Sequence, residues 1–307
     1  MDIKESKRII MGKKVFIVLL NYNGVNDTLE CIKSLETINY NNYEIIVVDN
    51  DSTDNSFTIL KEEIGHKHHV ISSNRNGGFA FGNNVGIRYA LKKGADYILL
   101  INNDTTVEPN FLDELVRPME RSSDYGVSTG LILNYYNKNL VWYAGGEINW
   151  NRFYGYHNHE NENINKLNLC ESEVSFATGC LMLIRSDVIT KVGELPEEYF
   201  MYYEDVDYCA SIQENGYKIY FNPKSVIYHK ISAASGEAES PFAIKWNTRN
   251  RIIFINKYKN KINNIKYIKL LLFFYITRII KLIKYISKGR LDKVKALLSG
   301  LRRISFE

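Results

Sequence analysis

The 307-residue chain lacks the signatures of several common protein classes. Its four cysteines, Cys31, Cys170, Cys180 and Cys209, show no CxxC spacing. They read as buried small hydrophobes in a reducing compartment rather than as a disulfide framework. The opening MDIKESKRIIMG mixes charges and has no apolar stretch of the signal-peptide kind. In the helical C-terminal region the longest uncharged run is Leu270 to Thr277, far short of the ~20 residues a spanning helix needs. No internal repeat and no GxGxxG dinucleotide fingerprint occurs. With 45% hydrophobic and 24% charged residues, the composition is that of a globular protein with a sizeable core.

Acidic residues are scarce in one place. From Lys257 to Arg303 there are fourteen Lys or Arg against one acid, Asp292. The net charge of +4 therefore joins a body of about −9 to a tail of about +13. Within Ile265 to Lys288, Lys266, Lys269, Lys281, Lys284 and Lys288 recur at spacings that stack them on one helical face, with Phe273 and Thr277 between them. Leu, Ile, Phe and Tyr fill the other side. This pattern predicts a basic amphipathic helix lying in a membrane interface, against the plainer alternative of a helix packed on its own domain or a dimer seam. Aliphatic rather than stacking residues interleave the charges, which argues against a nucleic-acid reader.

The rest of the chain alternates strand and helix. Lys13 to Leu20, Tyr43 to Val48, His69 to Ser72 and the run at Tyr97 read as buried strands. Val25 to Leu35, about Asn55 to Ile64, and Gly78 to Lys93 read as helices between them. Such βαβ units predict an α/β fold with a mostly parallel sheet. Beyond Asp104 the expected order is a helix over Pro109 to Glu120 and a strand over Gly126 to Leu133. An antiparallel excursion over Leu140 to Tyr156 and a polar loop over residues 157 to 172 follow. A strand at Gly179 to Ile184, a helix near Glu204, and strands near Lys218 to Asn222 and Val226 to His229 close this part. From about Pro241 the chain is expected to be helical. The division expected is a tail over residues 1–12, a catalytic domain over 13–240 (nucleotide half 13–105, acceptor half 106–240) and a helical region over 241–307.

Besides Asn102-Asn103-Asp104, four polar clusters fall at strand ends or helix starts, the edge where open α/β sheets bind ligands. Asn21-Tyr22-Asn23 follows the first strand, and Asp49-Asn50-Asp51-Ser52-Thr53-Asp54 the second. The second cluster doubles as a helix N-cap, yet Asp49 leaves the strand directly, where a carboxylate can accept from a base N–H or a ribose hydroxyl. Asn74 to Gly82, with Arg75 and three glycines, allows close approach of a ligand but is also an ordinary turn. Asn102-Asn103-Asp104 ends the strand at Tyr97, and a lone carboxylate there suits a divalent cation shared with a phosphate. Tyr202-Tyr203-Glu204-Asp205-Val206-Asp207 opens a helix, where acids are favoured by the dipole. Crowding of three acids raises the pKa of one, as a general base requires. His229 closes a strand and is a candidate metal ligand.

Taken together, VFIVLLNYNG, IIVVDNDSTDNS, NRNGGFAFGNNVGIRYAL, YILLINNDTTV, ATGCLMLIRSDVI, YFMYYEDVDYCASIQENGYKIYFNPKSVIYH and WNTRNRIIF, in that order over about Lys13 to Phe254, resemble the family 2 glycosyltransferases of GT-A fold, the rhamnosyltransferase-like members in particular. The resemblance implies an inverting, metal-dependent transfer from a nucleotide-sugar, dTDP-rhamnose or a UDP-sugar, to a glycan or polyprenyl-linked saccharide in cell-surface polysaccharide synthesis. It implies Asn21, Asp49, Asp51, Arg75 and Asn103 for the donor nucleotide, and Asp104 with His229 for Mg²⁺ or Mn²⁺. Asp205 is implied as base with Glu204 beside it, and Gly179, Tyr203 and Asp207 for the sugar or acceptor. Asn102 departs from the family's DxD element at its first position. A cytoplasmic enzyme, peripheral on the inner membrane face and capable of oligomerising, is the expected setting. The rival readings are a nucleotide-sugar-binding protein or partner subunit without turnover, and a nucleotidyltransferase. Against the latter, NYNGVNDT is not the Gly-rich basic loop such enzymes carry after strand one.

Overall fold

A computed structural model describes residues 12–230 and 239–302. Residues 1–11 of the expected tail and Arg303 of the basic segment lie outside the described residues. The chain divides into two compact units. The first takes the described residues of Met1–Glu147, Tyr156–Phe200 and Glu204–Ile231, the second those of Ile148–Gly155, Met201–Tyr203 and Ser232–Glu307.

The first unit begins with the expected alternation: β1 (Val15–Asn21), α1 (Val25–Leu35), β2 (Tyr43–Asp49), α2 (Ser56–Ile64), β3 (His69–Ser72), α3 (Phe79–Lys92) and β4 (Tyr97–Asn102). Val15 to Leu19 of β1 and Ile98 to Leu100 of β4 have no exposed surface. Both faces of these strands are covered, which is why they read as unbroken apolar runs. Further along the chain come β5 (Thr105–Val107), α4 (Phe111–Arg121), β6 (Tyr125–Asn134), β7 (Val141–Tyr143), β8 (Gly146–Asn149), β9 (Tyr154–His157), β10 (Ser172–Val174), β11 (Leu181–Arg185), α5 (Ser186–Val192), α6 (Glu204–Glu214) and β12 (Lys218–His229). The main sheet has the order β10-β12-β6-β11-β4-β1-β2-β3, with β5 on β12 and β7 on β6. Strands β4, β1, β2 and β3 pair parallel, whereas β11 runs antiparallel to both β4 and β6. Strands β8 and β9 form a separate two-stranded sheet.

Register is what assembles a site. Asn21 lies opposite Asp49, Leu20 opposite Asn102, and His229 opposite Thr105. The polar ends of β1, β2 and β4 are therefore level, and β12 brings its last residue alongside β5.

Three details differ from the expectation. The two strands expected between Lys218 and His229 are one, β12, with a register shift between Asn222 and Val226. Pro223 cannot donate to the ladder, and the Asn222 side chain takes the Lys224 N–H at 3.0 Å, so the chain bulges instead of ending. The polar loop contains a single 3₁₀ turn, Ile164–Lys166, and runs into β10. Strand β5 and helix α5 were not anticipated, because three and seven residues are too few to show a period.

In the second unit Phe254 is the centre of an aromatic cluster. Trp150, Phe153, Tyr203 and Tyr258 lie 5.7, 6.0, 5.7 and 4.8 Å from it, ring to ring. Helix α7 (Pro241–Lys257) has Pro241 in its first turn, where a missing N–H is harmless, and the Ser240 hydroxyl caps Ala243. Helix α8 (Asn264–Ser287) is capped by Asn263, and α9 (Leu291–Leu301) follows. Ile244, Tyr285 and Leu297 join these three helices in one apolar cluster. Leu270, Phe274 and Tyr285 form the buried side of α8. The lysines do not make one solvated stripe: Lys266, Lys269, Lys284 and Lys288 are exposed, but Lys281 turns to Glu239 at 3.4 Å. The side opposite the buried one exposes Ile265 (68%), Leu272 (58%), Ile279 (56%), Ile283 (61%) and Ile286 (56%).

Gly78 precedes α3 at φ 90°, ψ −173°, a conformation essentially restricted to glycine, and a Cβ there would meet the Phe200 carbonyl oxygen at 2.0 Å. Gly78→Ala is expected to cost about 2–5 kcal/mol, measured by denaturant unfolding against the wild type.

Candidate active site

A continuous chain of hydrogen bonds ties the ends of the parallel strands together. Asn103 Nδ2 donates to Thr28 Oγ1 (2.9 Å), Thr28 Oγ1 donates to Asn21 Oδ1 (2.8 Å), and Asn21 Nδ2 donates to Asp49 Oδ2 (2.8 Å). Asn21 and Thr28 are completely buried and Asp49 nearly so. The Asp49 carboxylate also accepts from the Ser52 N–H (2.9 Å) and the Ser52 hydroxyl (2.7 Å). Three of its roughly four acceptor positions are thus used, leaving one to offer outward. Asn50 extends the arrangement: its Nδ2 donates to Asn76 Oδ1 (3.0 Å) and to the Gly78 carbonyl (3.3 Å), which pins the Gly-rich loop.

Not every nucleotide candidate joins this network. Asp51 is exposed at φ 62°. Arg75 is exposed with its guanidinium 4.4 Å from the Phe81 ring centroid. Asn21 and Asn103 spend their side chains on neighbours, so they hold the pocket's shape. Sequence reasoning missed Thr28, and it placed Asn50 and Ser52 in the cluster after the second strand without singling them out. Thr28 looked like any polar residue early in a helix, and its total burial was the absent signal.

Asp104 and His229 meet, as their strand ends require. His229 Nε2 lies 3.1 Å from Asp104 Oδ1, and Asn102 Nδ2 lies 3.5 Å from the same nitrogen. Both residues are buried, and Trp142 packs edge-on against the imidazole at 4.5 Å. His229 Nε2 is the polar neighbour of Asp104 Oδ1, and His229 Nδ1 makes no hydrogen bond. Among the described residues no group of three or more His, Cys, Asp or Glu gathers as a metal cage. One carboxylate and one imidazole side by side are donor types that a divalent transition-metal ion accepts, with its other positions open to water and phosphate oxygen.

Glu204 and Asp205 open α6 with Asp207. Asp205 is partly exposed; its Oδ2 accepts the Gly179 N–H (3.1 Å) and its Oδ1 the Val206 N–H (2.8 Å). Burial pushes its carboxyl above the usual range, opposed by those backbone donors. Glu204 is buried with Oε2 unpartnered, and burial together with the Asp205 charge holds it well above the usual range. The pair therefore carries its first negative charge on Asp205, where the N–H groups are. Asp207 is fully buried, with the Ser211 hydroxyl 3.5 Å away. Tyr203 belongs to the second unit, where its hydroxyl donates to the Phe153 carbonyl at 3.3 Å.

A family model described as glycosyl transferase family 2 matches residues 16–193, more than half the chain. The chain belongs to glycosyl transferase family 2. Curated relatives include the low-salt glycan biosynthesis hexosyltransferase Agl10 of Haloferax volcanii, 26% identical over 82% of this chain and 78% of that protein. The dTDP-rhamnosyl transferase RfbF of Shigella flexneri is 23% identical over 80% and 81%, and the rhamnosyltransferase WbbL of Escherichia coli 25% over 78% and 92%. Among solved structures, the mannosyltransferase PcManGT of Pyrobaculum calidifontis, in complex with GDP-Man and Mn²⁺, superposes with a TM-score of 0.59 at 12% identity, covering 94% of this chain and 74% of that one. GalNAc-T7 with UDP, GalNAc and Mn²⁺ gives 0.63 at 16%, covering 80% and 48%. The fold is GT-A, and proteins named rhamnosyltransferase are among the relatives this chain resembles.

The raised pKa of Glu204 has a measurable consequence. A carboxyl that holds its proton more tightly folded than unfolded adds stability below its ordinary pKa and loses it as pH rises. Glu204→Gln removes that loss. Its melting temperature relative to wild type is expected to increase steadily from pH 4 to pH 8; a difference independent of pH would contradict this assignment.

Proposed function

We propose that this family 2 glycosyltransferase moves a sugar from a nucleotide-sugar, dTDP-rhamnose or a UDP-sugar, to a glycan or lipid-linked saccharide with inversion at the anomeric carbon. The observation that carries the reading is Asp205: a partly exposed carboxylate, fixed by two backbone N–H groups and raised in pKa by burial. Such a group can take the proton of an acceptor hydroxyl as that oxygen attacks the anomeric carbon and the nucleoside diphosphate departs. Glu204, kept neutral, leaves the charge on its neighbour.

Donor recognition falls to Asp49 at the end of β2, with Asp51 two residues on and Arg75 in the Gly-rich loop, both exposed, and Asn21 and Asn103 as its supports. Asp104 and His229 would hold a divalent cation, Mg²⁺ or Mn²⁺, which when bound neutralises charge on the diphosphate leaving group. The buried carboxylate and imidazole that meet at 3.1 Å, with His229 Nδ1 making no hydrogen bond, support this. Two structural neighbours are bound to a nucleotide or nucleotide-sugar and Mn²⁺, and two relatives are rhamnosyltransferases by name, which supports the cation and the donor respectively. Gly179 supplies an N–H to Asp205, and Tyr203 and Asp207 flank the acids in sequence as candidates for sugar or acceptor contact.

The lipid side of the reading rests on α8. No helix among the described residues is long and apolar enough to cross a membrane. The outward Ile and Leu side chains of α8 are instead suited to lie in the interface of the inner leaflet, with Lys266, Lys269 and Lys284 beside them for anionic headgroups.

Asp205→Asn is expected to lower transfer by about 10²–10⁴-fold while the donor still raises the melting temperature. Asp104→Asn is expected to lose the Mn²⁺-dependent part of that rise. An Asp205→Asn enzyme with normal turnover removes the base assignment. Flotation with anionic vesicles tests the helix: the wild type is expected to float and Ile276→Asp/Ile279→Asp to remain in the dense fraction, and equal flotation rejects membrane docking.

A further inference from the structure

Two guanidinium groups in the second unit share one aromatic ring and, among the described residues, pair with no acid. The Arg278 Cζ lies 4.5 Å from the Phe274 ring centroid, and the Arg251 Cζ lies 5.8 Å from it. Phe274 and Arg278 are one turn apart on α8, so the longer side chain lies over the ring. Arg251, on α7, is held by its Nε and Nη2, which donate to the Arg152 carbonyl at 3.1 and 2.5 Å. The Nε of Arg278 is buried and has no acceptor. Several other arginines of this chain have carboxylates: Arg88 has Glu194 and Glu197, Arg185 has Asp187, and Arg290 has Asp292. Among the described residues Arg251 and Arg278 have none. Burial, then the charge of Arg251, lowers the pKa of Arg278 from its ordinary value. Such an arrangement is unfavourable by itself, since a buried donor is unpaired and two like charges repel.

An anion between the forks reverses both penalties, and phosphate oxygens match guanidinium geometry. Two features narrow the anion further. Two positive groups call for two negative charges, which a diphosphate supplies and the phosphodiester of a simple phospholipid does not. The same helix that carries Arg278 exposes Ile268, Leu272, Ile279 and Ile283 to solvent, a surface for hydrocarbon. Tyr203, close enough to act electrostatically on Arg278, comes two residues before Asp205 in the chain.

We propose that Arg251 and Arg278 bind the diphosphate of an isoprenoid-diphosphate-linked acceptor, an inference that rests on the reading of the acceptor as lipid-linked. The probe is farnesyl diphosphate, titrated calorimetrically into the full chain in EDTA so that no metal-dependent nucleotide binding contributes. Wild type is expected to bind it, Arg251→Gln and Arg278→Gln to bind about tenfold more weakly or worse, and Arg278→Lys to fall between. Farnesol is expected not to bind, and inorganic pyrophosphate to bind more weakly than farnesyl diphosphate. Both Gln variants are expected to keep the wild-type donor thermal shift with Mn²⁺ and wild-type flotation on phosphatidylglycerol vesicles, which shows that they fold. Unchanged farnesyl diphosphate binding in the Gln variants overturns the site. Equal affinity for pyrophosphate and farnesyl diphosphate overturns its lipid character, and loss of vesicle flotation without loss of farnesyl diphosphate binding assigns the arginines to phospholipid instead. An enzyme that binds farnesyl diphosphate through these arginines but transfers no sugar keeps the site and removes only the acceptor reading.

Discussion

The hydrogen-bond chain Asn103–Thr28–Asn21–Asp49 is the constraint on which the candidate active site depends. A parallel sheet brings strand ends together at one edge, and the backbone and side-chain polar groups there are buried by the helices that follow. Each unpaired one would cost about 1–3 kcal/mol. Thr28 of α1 resolves this by donating to one amide and accepting from another, so two strands and a helix share a single satisfied network. The consequence is positional. Asp49 is held by Asn21 and Ser52 with one acceptor site left to offer, and Asn103 is drawn back toward α1 while Asp104 is left to face His229. Order at the sheet edge and availability of the two acids are therefore the same fact.

Charge is handled differently at the start of α6. Adjacent carboxyls in a buried first turn cannot both ionise cheaply, and the two differ in what surrounds them. Asp205 has the N–H groups of Gly179 and Val206, whereas Glu204 has an oxygen with no partner. Backbone donors decide which acid is charged. The helix-dipole explanation of acids in a first turn accounts for their presence but not for this asymmetry.

The second unit shows the same economy with opposite sign. Its aromatic cluster around Phe254 and the apolar junction of α7, α8 and α9 supply its core. Lys281 is neutralised by Glu239, yet Arg251 and Arg278 are left facing a ring. On α8 the burial of one side leaves an apolar side in water, the kind of exposed surface that marks an interaction site.

Much of this was legible from residue order. The apolar runs of β1, β2 and β4, each covered on both faces, could only be internal parallel strands, and α1 was bounded correctly because Leu29, Ile32 and Leu35 repeat at helical spacing. Asp49, Asp104, Asp205 and His229 stood out because acids and a histidine at strand ends or helix starts are chemically conspicuous. Illegible were the residues whose importance is relational. Thr28 and Asn50 have common side chains, and only burial against distant neighbours makes them keystones. The side of α8 that packs was equally hidden, since its periodicity offers two apolar sides and contacts with α7 and α9 choose between them. By itself the sequence determined the α/β alternation, the acids at the sheet edge and the basic C-terminal helix, because those follow from local period and charge. Only the tertiary structure decided which acid is charged, what Asn21 and Asn103 do, and which arginines, among the described residues, have no carboxylate beside them. Those depend on burial and on hydrogen bonds between residues far apart in the chain, which no local pattern records.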